Sequence, residues 1–225
     1  MIRAITFDLD DTLWPVAPVI AAAEQAVHEW FLANAPAVAE RFDVAALRAL
    51  REQTGREHPE LAHDLSGLRR LSLEKACQRC GVDESLAEAA FSAFFAARNR
   101  VQPYPDVGRC LSSLAHRHPL AALTNGNACL HLTGFEHYFR FSISAIEAGA
   151  AKPDPRMFLH AARRLELAPA EILHVGDDPE RDVSGALAAG FHSVLLDRDG
   201  AHTGFSEAPV IRSLDELIMR KDSLL

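Results

Sequence analysis

Residues 2–12 read IRAITFDLDDT, and everything else in the chain is interpreted from them. Residues 2–9 form a short apolar run with β-branched and aromatic side chains, and the run stops at an acidic, Pro-closed turn over residues 10–15. A run of that length bounded by turn residues predicts a buried strand. Further apolar runs follow at residues 120–123, 141–144, 172–175 and 193–196. Helical segments separate them. Asp106 is placed to cap a helix running to about Arg117, and Asp154-Pro155 to open another with Pro at its first position. A third is expected over residues 183–189, ending at Gly190, and a last one opens at the capping box Ser213-x-x-Glu216. Parallel strands need crossovers long enough to hold a helix, so this alternation predicts an α/β fold with a doubly wound parallel sheet.

Between the first and second strands the character changes. Ala becomes abundant, and Ile20, Ala23, Val27, Trp30 and Phe31 recur at helical spacing, as do Leu65, Leu68, Leu71, Ala76, Cys77 and Cys80. Asp83 reads as the next N-cap, ahead of a stripe made by Leu86, Ala90, Phe91, Phe94 and Phe95. Pro103-Tyr104-Pro105 ends the block as a linker. The expected organisation is an α/β core over residues 1–15 and 102–225 with an all-helical insertion over 16–101. An insertion leaving directly after the first strand sits above the carboxyl ends of the strands, where such sheets bind ligands, so it is expected to act as a lid.

The 225 residues carry 23 Lys+Arg against 31 Asp+Glu, a net charge of −8. With no basic run to follow a polyanion, nucleic acid is not an expected partner. No stretch is long and apolar enough to span a membrane, and the start of the chain reads as a strand rather than a signal peptide, which places the protein in the cytoplasm. Four Cys are too few for a disulfide framework in a chain this long. Cys77 and Cys80 form a C-x-x-C inside a helical pattern with no second ligand pair, so they read as structural. The eleven His are scattered and read as surface or packing residues. An expected oligomeric state of monomer or homodimer is as far as the sequence goes.

Three strands end in polar residues of reactive type: Asp8, Asp10 and Thr12; Thr124 and Asn125; Asp177 and Asp178. Lys152 stands in the loop Ala151-Lys152-Pro153. In a parallel sheet these ends face one crevice. Asp8, Asp10, Asp11, Asp177, Asp178 and Asp182 then gather around a single obvious cation, Lys152, and carboxylates that close require a compensating ion. All-oxygen donors plus a substrate phosphate suit Mg²⁺. Asp8 and Asp10, two apart on an extended segment, point the same way, so one can attack while the other moves a proton. Gly126 and Gly176 leave room for backbone amides to approach an anion. Singly, each acid has a plainer reading: Asp182 precedes Val183 as an N-cap should, and Thr124 could simply end a strand.

Together, Asp8-Leu-Asp10-Asp-Thr12, Leu123-Thr124-Asn125-Gly126, Lys152-Pro153 and Val175-Gly-Asp177-Asp178-Pro-Glu-Arg-Asp182 resemble, in order, the four motifs of the haloacid dehalogenase-like (HAD) hydrolase superfamily. The resemblance implies a Rossmann-like core with a helical cap. It implies Asp8 as the nucleophile that takes the phosphoryl group and Asp10 as general acid and then base. It further implies Mg²⁺ held by Asp8, the Asp10 carbonyl and Asp177, with Asp178 and Asp182 as outer partners. Thr124, Asn125 and Gly126 would bind the phosphate of a small phosphate ester, and Lys152 would neutralise charge on it. Dehalogenases of the superfamily lack the second Asp of the first motif, because carbon–halogen displacement needs no acid, so Asp10 favours phosphoryl transfer. Phosphosugar mutases usually show Gly where Asp11 stands here. A catalytically inactive binding protein would be expected to lack a nucleophile or metal ligand. Pro18-Val19-Ile20, Thr124-Asn125-Gly126-Asn127 and residues 171–178 are similar to a bacterial group that dephosphorylates flavin mononucleotide and the phosphoribityl-aminouracil intermediate of riboflavin synthesis. In the insertion, His63, Asp64, Arg69 and Arg70 are candidate substrate contacts, and Trp14 could stack on a ring; the plainer readings are a solvated helix face and a packed aromatic.

Overall fold

The computed structural model describes residues 1–220. In chain order the elements are β1 (Ala4–Phe7); the helices α1 (Val16–Asn34), α2 (Pro36–Arg41), α3 (Val44–Glu57), α4 (Leu65–Arg79), α5 (Leu86–Arg98) and α6 (Val107–Ala115); β2 (Leu120–Thr124); α7 (Leu130–Thr133); β3 (Phe141–Ser144); α8 (Ala145–Ala148) and α9 (Pro155–Leu165); β4 (Ile172–Gly176); α10 (Gly185–Ala188), preceded by a π-helical turn over Pro179–Ser184; β5 (His192–Leu196); β6 (Val210–Ile211); and α11 (Leu214–Met219). They form two compact units, one of Met1–Pro15 with the chain from Gln102 onward, the other Val16–Val101.

The first unit holds one all-parallel sheet of six strands in the order β3-β2-β1-β4-β5-β6. β1, β2 and β4 are buried at every position, as parallel strands covered on both faces must be. The strand order reverses at β1, between β2 and β4, and such a reversal opens a crevice at the carboxyl ends of those strands. Asp8, Thr124 and Asp177 all lie there, at the ends of β1, β2 and β4. Met157, Phe158, Ala161 and Ala162 of α9 pack with Leu123, Ile143 and Ile172 to make the sheet-facing core.

The second unit is entirely helical. Ala23, Val27, Phe31, Leu50, Leu73, Ala76, Cys77, Phe91 and Phe94 form its own buried core. Cys77 packs in that core, where burial pushes its thiol up to about 11, while Cys80 follows the end of α4. Among the described residues no helix is long and apolar enough to cross a membrane.

Several predicted caps do other work. Asp154 caps α9 through the Arg156 amide at 2.9 Å, as its sequence suggests. Asp106 does not cap α6: its carboxylate accepts the amide of Leu214, the first residue of α11, at 2.8 Å and pairs with Arg198 at 3.0 Å, tying α6 to α11 and to the segment after β5. The Ser213 hydroxyl makes no cap bond, and Glu216 accepts from Arg212 at 2.8 Å instead. Asp83 holds the Ser85 amide at 2.9 Å in the turn ahead of α5. The helix predicted over 183–189 begins four residues early, because Asp178, and not Asp182, caps it by accepting from Glu180 at 2.9 Å and Arg181 at 2.8 Å. The two-residue β6 went unpredicted, being too short to carry a pattern.

Candidate active site

The β1 strand delivers Asp8 to the crevice, where its amide is still tied to the ladder through the Val175 carbonyl at 2.9 Å. Beyond it the chain turns sharply. Asp11 takes the left-handed conformation at φ 59°, and the Asp11 amide donates to the Trp14 carbonyl at 2.7 Å. This fold-back sets the Trp14 indole N–H on the Asp10 carboxylate at 2.9 Å. Trp14 is fully buried, its ring 5.4 Å from that of Phe135, so the proposed stacking on a substrate ring is corrected: the residue faces the protein interior.

Lys152 is the electrostatic centre. Its ammonium, buried in the fold, donates at 2.6 Å to Asp8 and at 2.6 Å to Asp182. The backbone at Lys152 is fixed by the Asn125 side chain, which accepts from the Lys152 amide at 2.7 Å and donates to the Lys152 carbonyl at 2.9 Å. Asn125 is therefore a strut between the ends of β2 and the Lys152 loop. The Thr124 hydroxyl is buried and accepts the Gly126 amide at 2.9 Å. That amide is thus engaged with Thr124, where the sequence suggested an open anion-binding group.

Asp182 is held on every side. One oxygen receives Lys152 and lies 3.1 Å from His174 Nε2, and the other accepts the Asp178 amide at 3.1 Å. Asp178 thus contributes its amide to the cluster while its carboxylate caps the following helix. Gly176 is required by this packing, since a Cβ there would lie 2.2 Å from the Asp182 carboxyl carbon. Its missing side chain makes room for Asp182 rather than for an anion.

The sequence missed His174. Its ring is fully buried, with Nδ1 2.9 Å from the Thr6 hydroxyl and Nε2 toward Asp182. Burial lowers its pKa despite the Asp182 charge. Facing a carboxylate that can only accept, the ring presents an N–H at Nε2. No sequence signal marked it, because a histidine within an apolar strand looks like any packed histidine.

One oxygen each from Asp8, Asp177 and Asp182 lie within 4.8 Å of one another. Burial penalises all three ions, but the Lys152 charge and the His174 hydrogen bond hold Asp182 well below the usual carboxylate range. Asp8 is raised well above its ordinary value, chiefly by burial and then by the Asp182 and Asp177 charges, against Lys152. Asp177, which accepts the Thr12 hydroxyl at 2.9 Å, is pushed up to about 6 by burial and by Asp182. Burial disfavours the Lys152 ammonium too, yet the two carboxylates outweigh it and its pKa is raised. Three carboxylates against one lysine leave an excess of negative charge on hard oxygen donors. That donor set fits a small divalent cation such as Mg²⁺.

The candidate contacts in the helical unit are committed locally. Asp64 caps α4 through the Gly67 amide at 2.7 Å. Arg70 pairs with Glu88 at 2.7 Å and stacks 3.7 Å over Phe91. Arg69 is buried 3.6 Å over Phe94, lies 3.7 Å from Glu24, and is lowered to about 9 by burial and the neighbouring Arg51.

Residues 2–190 match the family model for haloacid dehalogenase-like hydrolases. The chain is 37% identical over 199 residues to the Escherichia coli 5-amino-6-(5-phospho-D-ribitylamino)uracil phosphatase YigB, covering 87% of this chain and 83% of that protein. It is 32% identical to a phosphoserine phosphatase of Thermus thermophilus, over 87% of this chain and 89% of that one. Among solved structures, one described as a 2-haloacid dehalogenase from Pseudomonas syringae superposes with a TM-score of 0.92 at 36% identity, covering 99% of both chains. With three motifs at the ends of β1, β2 and β4, the fourth in the loop ahead of α9, and these matches over most of its length, the chain belongs to the haloacid dehalogenase-like hydrolases.

Proposed function

We propose that the protein is a Mg²⁺-dependent phosphatase that hydrolyses a small phosphorylated metabolite through an aspartyl-phosphate on Asp8. The observation that carries this reading is Asp10, present two residues beyond the buried nucleophile and held by a hydrogen bond. A halide leaves carbon without a proton, whereas an alkoxide leaving phosphorus needs one.

In the first half-reaction an Asp8 oxygen forms a bond to phosphorus and the ester P–O bond breaks. Its electron pair goes to the leaving oxygen, which takes a proton from Asp10. In the second, Asp10 accepts a proton from water as the water oxygen attacks phosphorus; the bond to Asp8 breaks, and inorganic phosphate and the free carboxylate result. Lys152 keeps Asp8 in place and balances charge on the phosphoryl oxygens, while Asp182, backed by His174, fixes Lys152. Thr124 and the Asn125 backbone bind phosphate, while the Gly126 amide holds the Thr124 hydroxyl. Asp8, Asp177 and the Asp10 carbonyl would hold Mg²⁺, which supplies positive charge opposite the phosphoryl group. Asp178 acts only through its amide.

The helical unit, Val16–Val101, serves as the cap that sets substrate choice. The similarity to the ribitylaminouracil phosphatase supports a flavin-related ester, flavin mononucleotide or a riboflavin-pathway phosphate, as the substrate.

A second reading has support of its own: the 2-haloacid dehalogenase fold match at 36% identity makes carbon–halogen hydrolysis the rival on the same nucleophile. One assay separates them. Phosphate release from a panel of esters including flavin mononucleotide, and chloride release from 2-chloropropionate, are measured with and without EDTA and with Asp8→Asn. Mg²⁺-dependent phosphate release that falls at least about a thousandfold in Asp8→Asn supports the proposal. Chloride release without phosphate release overturns it. A flavin-related ester favoured about a hundredfold in kcat/KM, roughly 2.7 kcal/mol, supports the substrate assignment; equal, weak turnover of every ester removes it.

A further inference from the structure

The loop after β1 performs a task that no motif describes. It folds back through the Leu13 amide on the Leu9 carbonyl at 2.8 Å and the Asp11 amide on the Trp14 carbonyl at 2.7 Å, with Asp11 at φ 59°. The outcome is a side-chain bond from Trp14 Nε1 to Asp10 Oδ1 at 2.9 Å, made by a ring that solvent does not reach. Packing against Phe135 fixes the plane of that ring.

We propose that Trp14 is a positioning residue for Asp10: its indole N–H holds Oδ1 and so fixes the orientation in which the carboxyl group serves the leaving oxygen. A carboxyl group rotates readily about its last bond, and the hydrogen bond selects one of its two faces in advance of the reaction. The proposal rests on Asp10 being the acid that serves the leaving group.

Positioning of an acid is felt only where the leaving group needs a proton. The test is kcat/KM for two probes, p-nitrophenyl phosphate, whose phenolate leaves unaided, and an alkyl phosphate such as glycerol 3-phosphate, whose alkoxide does not. Wild type is compared with Trp14→Phe, which keeps an aromatic ring, and with benzothienylalanine at position 14, which keeps the ring shape and replaces N–H by sulfur. The expected result for both is a loss of about tenfold or more on the alkyl ester, with p-nitrophenyl phosphate staying within about twofold. Equal losses on both esters, or no loss on either, overturn the proposal. Should Trp14→Phe not fold, the benzothienyl variant alone decides. Asp10→Asn is the reference: if it spares the alkyl ester, the acid role of Asp10 falls and this proposal with it. If Asp10→Asn is selectively impaired and the Trp14 variants are not, only the role of Trp14 falls.

Discussion

Gly176 and Asp182 show how closely the catalytic charges are built into the backbone. The Asp182 carboxylate occupies the space a Cβ at 176 would fill, so Gly176→Ala forces either β4 or Asp182 to move. Moving Asp182 breaks its contacts to Lys152, His174 and the Asp178 amide at once. Overpacking a site this rigid costs about 1–3 kcal/mol, and displacement of Lys152 removes charge balance from the reacting group as well. Gly176→Ala is therefore expected to lower Tm by several degrees and kcat at least about tenfold, read by thermal unfolding and phosphate release. An alanine variant with wild-type kinetics would show that Asp182 does not set the position of Lys152. That Asp8 and Asp177 meet was legible in the sequence because strand ends in a parallel sheet converge, and Lys152 reaches Asp8 from the loop ahead of α9. His174 was not legible, since Thr6 becomes its neighbour only when β1 and β4 pair, and Asp182 only when the turn after β4 folds back.

The elements themselves follow from pattern, while their ends answer to tertiary contacts. Apolar runs mark β1 to β5, most plainly β1, β2 and β4, where burial at every position leaves no other side-chain choice. Cap signals gave α9 but misplaced the role of Asp106, whose sequence context is that of an ordinary N-cap. Asp106 and Asp154 thus look alike in sequence and differ in structure. Asp154 is a surface cap, worth about 1 kcal/mol on replacement by Ala. Asp106 is buried, and its loss strands the Leu214 amide and the half-buried Arg198, whose guanidinium also donates to the Thr12 carbonyl at 2.9 Å. Breaking such a pair costs about 3 kcal/mol. Asp106→Ala is expected to lower stability about three times as much as Asp154→Ala, measured by urea unfolding of the two variants side by side. Comparable losses would mean that the Arg198 pair contributes little beyond an ordinary cap.

Across the whole chain the charge is divided in kind as well as number. The helical unit buries one carboxylate, Glu24, among Arg48, Arg51 and Arg69. The α/β unit does the reverse, gathering Asp8, Asp177 and Asp182 around Lys152. The second arrangement adds repulsion to burial, and burial first, with the neighbouring carboxylates after it, raises Asp8 and Asp177 above ordinary carboxylate values. A cation that binds the folded cluster and not the unfolded chain relieves that repulsion and stabilises the fold by mass action. At about 100 times its dissociation constant Mg²⁺ contributes about 2.7 kcal/mol, which for a chain of this length raises Tm by roughly 5–10 °C. Asp177→Asn removes both a donor and the charge that attracts the ion, so most of that rise is expected to disappear. Glu24→Gln changes a buried carboxylate that has no part in the cluster, and is expected to lower the starting Tm while leaving the Mg²⁺-induced rise intact. Calorimetry of the three proteins with Mg²⁺ and with EDTA reads both quantities. A rise that survives in Asp177→Asn would place the ion elsewhere and return Asp8, Asp177 and Asp182 to a purely lysine-balanced cluster.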